Sequence, residues 1–165
     1  CLVMGNHVTG TGVVNMMDNG TLESCTIVRN QAGMACGGLY VSDPLGPIIQ
    51  NNVIYFNGAP ESNNWSIAGG TMTCNCTAPA LAGAGNIDGN PVFKQAGSGF
   101  GLTAVLGKYN LVVPSPCIDQ GSNQSWMAGA RDMADAIRIF PSNGVADIGA
   151  YEYMPDNRGM VLGVR

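Results

Sequence analysis

The chain has 165 residues, with 24 glycines, 16 asparagines, only 11% charged residues and a net charge of −4. That length suits one domain, two lysines and five arginines give no basic stripe for nucleic acid, and no apolar run is long enough to cross a membrane. A hydrophobic share of 45% permits a packed core and argues against disorder. The excess of glycine and asparagine is the feature that needs a cause.

Taken in chain order, the first runs repeat. Cys1-Leu2-Val3-Met4-Gly5-Asn6 matches Cys25-Thr26-Ile27-Val28-Arg29-Asn30 at a shift of 24. That run matches Asn52-Val53-Ile54-Tyr55-Phe56-Asn57 at a shift of 27. Leu22-Glu23-Ser24 likewise corresponds to Ile49-Gln50-Asn51, and glycine turns follow at Gly37-Gly38 and Gly58. Helix caps with a period of 3.6 are missing, while short Val, Ile, Thr and Tyr runs sit between turn residues. The period fits one coil of a solenoid. The sequence therefore predicts an all-β fold: a right-handed parallel β-helix with an irregular C-terminal cap.

This reading explains the composition. Glycine and asparagine tolerate the left-handed dihedrals of coil corners. Equivalent residues stack about 4.8 Å apart, so Asn6, Asn30 and Asn57 form a ladder of side-chain amides. Val3, Ile27 and Ile54 line the interior, and Cys1 lies beneath Cys25. Residues 65–70 read as a longer loop before a fourth run, Thr71 to Cys76. The coils thus occupy residues 1–76, which are N-terminally incomplete. A last rung and a cap that shields its open edge occupy 77–153, and 154–165 is a tail.

Six cysteines allow up to three bridges, but stacked buried thiols are the simpler expectation. Cys74 and Cys76 lack zinc-type spacing, and His7 is the only histidine, so neither a metal nor another cofactor is expected. The start at Cys1 without an initiator methionine reads as a piece of a longer chain. A lipid-modified end is disfavoured because Leu2-Val3-Met4 follows at once.

The C-terminal half resembles a known family. Gly85-Asn86-Ile87-Asp88-Gly89-Asn90-Pro91-Val92-Phe93 is similar to its "gNid.dPlF" segment. Tyr109-Asn110-Leu111 with Ser115-Pro116-Cys117-Ile118-Asp119-Gln120-Gly121 is similar to "y.L...SPaiDaG". Asp132, Arg138 and Val145-Ala146-Asp147-Ile148-Gly149-Ala150-Tyr151-Glu152 are similar to "D..G..R.....vDiGAyE". These occur in this order in bacterial right-handed β-helix proteins of the choice-of-anchor Q type, in the pectin-lyase-like superfamily. The match spans about residues 71–153, and Asp135 stands where the family shows glycine. The resemblance implies a secreted or surface-displayed bacterial protein, commonly with a sorting tail. Here Met154 to Arg165 follows the motif.

The chemistry-bearing residues are few. Asp119, Asp132, Asp147 and Glu152 have two functional readings, glycosidic hydrolysis and Ca²⁺ binding. The structural reading weighs more: acids in an irregular cap accept backbone N–H bonds, and Arg138 pairs with Asp147 or Glu152. His7 lacks an evident carboxylate partner, so no catalytic residue is expected. Tyr40, Tyr55, Phe56, Trp65 and Trp126 are the candidates for a sugar-stacking surface. The N-glycosylation patterns at Asn19, Asn64, Asn75 and Asn123 carry no weight in a bacterial protein.

The expected function is a non-enzymatic structural segment, extracellular or at the bacterial cell surface, self-associating through its open rung edge into a fibre. The competing readings are a carbohydrate-active lyase or hydrolase with catalytic rungs upstream, and a polysaccharide-binding adhesin.

Overall fold

A computed structural model describes residues 1–141 and 144–155. Most of the expected tail, 156–165, lies outside the described residues. The first coil runs through β1 (Leu2–Met4), β2 (His7–Val8), β3 (Val14–Met16) and β4 (Thr21–Glu23). The second runs through β5 (Thr26–Val28), β6 (Gln31–Ala32), β7 (Leu39–Val41) and β8 (Ile48–Gln50). The third has β9 (Val53–Tyr55), β10 (Trp65–Ile67) and β11 (Thr71–Thr73), and β12 (Cys76–Thr77) opens a fourth. All their pairings are parallel, in the orders β1-β5-β9-β12, β2-β6, β3-β7-β10 and β4-β8-β11. The fold is a parallel β-solenoid with four strand positions per coil. Residues 65–67, read from sequence as loop, form β10, because Trp65 stacks on Leu39 and Ile67 on Val41.

The register explains the repeat. Leu2, Thr26, Val53 and Cys76 stack, as do Val3, Ile27, Ile54 and Thr77. Ile27, Leu39, Val41, Ile49 and Ile54 meet in the lumen at 0–1% exposure. Burial on this scale stabilises by about 1.5–3 kcal/mol per side chain. At Gly38 an added Cβ would sit 2.9 Å from Asn57 Nδ2, so glycine here leaves room for the amide stack.

The C-terminal half is divided in a way the sequence did not anticipate. Residues 78–86 cross the end of the last coil. Asn64 Nδ2 donates to Ala78 O and Trp65 Nε1 to Pro79 O, while Cys74 N donates to Ala84 O. Leu81 is buried in this crossing. One further parallel bridge joins Cys76 to Ile87.

The rest, residues 88–153, turns back along the outer face of the β1-β5-β9-β12 sheet. It includes the antiparallel pair β13 (Phe93–Gln95) and β14 (Lys108–Leu111). Val28, Val53 and Cys76 from the sheet pack with Phe93, Tyr109, Leu111, Cys117 and Ile148 in a second core. The expected end cap is therefore mostly a lateral cover. It reaches the coils near the N-terminus, where Ala150 N donates to Thr26 Oγ1 and Trp126 Nε1 to Glu23 Oε2. A Cβ at Gly149 would meet Thr26 Oγ1 and Val53 at 3.0 Å, which accounts for glycine at that approach. A sheet covered on both faces loses its alternation, and Thr26, Ile27 and Val28 are all buried.

Candidate functional site

Two asparagine ladders form the corners on either side of the covered sheet. In the first, Asn6 Nδ2 donates to Asn30 Oδ1 at 2.9 Å, Asn30 Nδ2 to Asn57 Oδ1 at 3.0 Å, and Asn57 Nδ2 to Asn64 Oδ1 at 3.3 Å. The backbone N–H of each donor residue reaches the same oxygen. Asn64, which departs from the repeat spacing, completes the stack. The second ladder, absent from the sequence reading, runs Asn52–Asn75–Asn86 with bonds of the same kind at 3.0 Å. Its place is held by Cys25 one coil earlier, whose N–H donates to Asn52 Oδ1. Part of the signal was present, since Asn75 follows Asn52 at a shift of 23, close to the coil period, whereas Asn86 follows after only 11 residues.

Apart from Asn64, each ladder residue follows a left-handed one, as does Cys25. Gly5, Arg29 and Phe56 have φ of 68°, 56° and 56°, while Ser24, Asn51, Cys74 and Gly85 have 50°, 57°, 52° and 70°. For residues other than glycine this costs roughly 1–2 kcal/mol each, offset by the buried amide bonds. The left-handed turn at Phe56 also brings Tyr55 and Phe56 to the same side of the sheet. Both rings pack on the second core, edge to face at 4.8 Å, and Arg29 lies 4.7 Å over Phe56.

The acids of the cover form a clasp. Arg138 Nη1 donates to Glu152 Oε1 at 3.0 Å, and both side chains are 3% exposed. Glu152 Oε2 accepts the Asp147 N–H. Asp147 Oδ1 accepts the Asp119 N–H and its Oδ2 accepts that of Tyr153. Asp132 Oδ1 accepts the N–H groups of Ala134 and Ala136, and its Oδ2 accepts that of Glu152. Asp119 differs from the other three acids: its carboxylate is exposed and its backbone makes the contact. Two buried acids, Asp147 and Glu152, and the half-buried Asp132 make this clasp with one buried arginine. Burial, with Asp147 close by, pushes Glu152 up to about 8. Burial pushes Asp147 up to about 6, against the pull of its backbone donors.

Asp135 has φ 66°, so the backbone of the glycine-type turn is kept. The other reactive groups are dispersed. His7 is exposed on β2, Trp65 stands at the capped end, and Trp126 stands at the opposite end. All six thiols are free. Cys76 and Cys117 touch in the second core, and that contact together with burial raises the Cys76 thiol. Among the described residues, no group of three or more His, Cys, Asp or Glu is placed to hold a metal ion. No described helix is long and apolar enough to cross a membrane. Comparisons with protein-family models, curated proteins and solved structures find no match to the chain.

Proposed function

We propose that the chain is a non-enzymatic structural segment of a secreted or surface-displayed bacterial β-helix protein, with its first coil as the association surface. The observation that carries this reading is the lateral cover. It fills the outer face of the largest sheet and leaves that face no room for an extended ligand. The carboxylates of Asp132, Asp147 and Glu152 are taken up by backbone N–H groups and Arg138. In this reading Asp132, Arg138, Asp147 and Glu152, which carry the resemblance to the choice-of-anchor Q type, serve to build the clasp.

An open edge remains at coil 1, since β1, β2, β3 and β4 each end their sheets. Such edges invite pairing. The opposite end is occupied by residues 78–86, so growth into an endless fibre requires this crossing to leave. Among the described residues no aromatic row favours the adhesin reading, because Tyr55 and Phe56 are packed away and the two tryptophans stand at opposite ends.

The test is turnover by the purified chain on a panel of uronate and neutral polysaccharides, read as new reducing ends and as unsaturated-uronate absorbance. No turnover is expected. Turnover that disappears in Asp132→Asn or Glu152→Gln, with folding intact, would overturn the structural reading.

A further inference from the structure

Two thiols meet where the cover lies on the coils. Cys76 stacks on Val53 at the start of the fourth coil, while its neighbour Thr77 stacks on Ile54 in the lumen. Alternation along the strand therefore points the Cys76 side chain out of the coil and into the second core. Its Sγ donates to Gly89 O at 3.0 Å. Gly89 in turn lies against Pro116, where a Cβ would stand 3.1 Å from the proline Cγ. This contact seats Cys117 over the sheet, and its thiol touches that of Cys76. Both residues are 0% exposed.

Each cysteine is fixed by its own surroundings. The Cys76 N–H donates to Asn52 O, which holds it in the coil ladder. The Cys117 N–H reaches Ser115 Oγ, which itself donates to Pro91 O, and Cys117 O accepts the Ile148 N–H at 3.0 Å. One thiol thus belongs to the coils and the other to the cover. The other buried or half-buried sulfurs have different neighbours: Cys25 Sγ donates to Glu23 O, Cys36 Sγ donates to Leu39 O, and Cys74 Sγ packs on Gly85.

We infer that Cys76 and Cys117 are a disulfide site: exchange with a small-molecule disulfide joins them in a bridge that staples the lateral cover to the β1-β5-β9-β12 sheet. The exchange takes two steps. One protein thiolate attacks a sulfur of the reagent, whose S–S bond breaks and whose other half leaves as a thiolate. The second protein thiolate then attacks the protein sulfur of this mixed disulfide and expels the remaining half. Two protein thiols are oxidised, one reagent disulfide is reduced to two thiols, and the protons of the protein thiols pass to the departing thiolates. Burial and the Cys117 contact keep Cys76 protonated while the cover is closed, so attack starts when the cover lifts and the thiols meet water. Excess thiol reverses the reaction. An oxidising compartment therefore locks the cover covalently, and a reducing one leaves it to the clasp and the second core.

The test incubates the reduced full chain with oxidised glutathione in the absence of denaturant, then blocks free thiols and maps bridges by mass spectrometry. The expected product is a linked peptide pair carrying Cys76 and Cys117, lighter by two hydrogens. In the bridged chain, amide exchange at Ile148 is expected to slow at least about tenfold, while exchange at Ile27 stays unchanged. Absence of that linked pair would overturn the site, as would glutathione adducts at Cys76 or Cys117 that never close, or a bridge formed only in denaturant. A bridge that leaves Ile148 exchange unchanged would overturn the staple. None of these readouts involves polysaccharide turnover, so the disulfide site and the non-enzymatic reading fail separately.

Discussion

The coils and their lateral cover use different physics over the same sheet. Residues 1–76 hold five charged side chains, and residues 88–153 hold ten. The coils are kept by repetition: backbone ladders, amide stacks and a dry lumen, each residue supported by its equivalent one coil away. The cover has no repeat. It is kept by a second apolar core and by a buried clasp in which one arginine faces several acids. A neutral stack tolerates change of pH and spreads its loss when one rung is altered, whereas a clasp concentrates its stability in a few groups.

That contrast is open to attack at several strengths. The largest effect is expected for Arg138→Met, which leaves Glu152 Oε1 and Gly149 O without their buried donors and, at about 1–3 kcal/mol for each unpaired group, costs about 3–5 kcal/mol. Trp126 fluorescence should report release of the cover at lower urea, while amide protection at Ile27 and Ile54 persists. Simultaneous loss of both signals would mean that coils and cover unfold as one unit.

Asn52→Leu comes next. It removes the acceptor of the Cys25 N–H and the donors to Asn75 Oδ1 and Leu22 O. With buried partners left unpaired, a loss of about 3 kcal/mol is expected, measured by thermal unfolding. Asn52→Asp keeps the acceptor alone and should fall between the two.

A smaller effect belongs to pH. Asp147 and Glu152 have folded values of about 6 and about 8, above the ordinary carboxylate range. The folded cover then holds protons that the unfolded chain releases, so this contribution is full at about pH 4 and is lost as pH rises to about 8. Urea midpoints read through Trp126 should decline over that window, and Glu152→Gln should flatten the decline. A midpoint that rises with pH would show that the clasp is stabilised as a fully ionised pair.

The smallest expected change is a gain. Asp135 sits at φ 66° in an exposed turn, with an Arg131 ion pair whose side chains are 55% and 85% exposed. Asp135→Gly relieves left-handed strain at the loss of a weak surface pair, raising stability by under about 1 kcal/mol. The same thermal assay decides its sign.

The coils were legible in the sequence because their contacts are periodic. A residue meets its own counterpart 23–27 positions away, so shifts in the sequence are distances in space. This gave Asn6, Asn30 and Asn57, and placed Val3, Ile27 and Ile54 inside. It missed the second ladder because Cys25 stands in that position one coil earlier and Asn86 follows Asn75 by only 11 residues, and missed β10 because Trp65 carries no repeat signature.

The cover was only partly legible. Its motif residues marked Asp132, Arg138, Asp147 and Glu152, but not which partner Arg138 takes, nor that Asp119 acts through its backbone. The sequence alone determined the excess of glycine and asparagine, the coil period and the lumen. The tertiary structure alone decided that the last 60 or so described residues lie along the coils and not across their end. The reason is physical: a lateral contact joins unlike residues at unrelated separations, such as Thr26 with Ala150 or Glu23 with Trp126, and leaves no period to read.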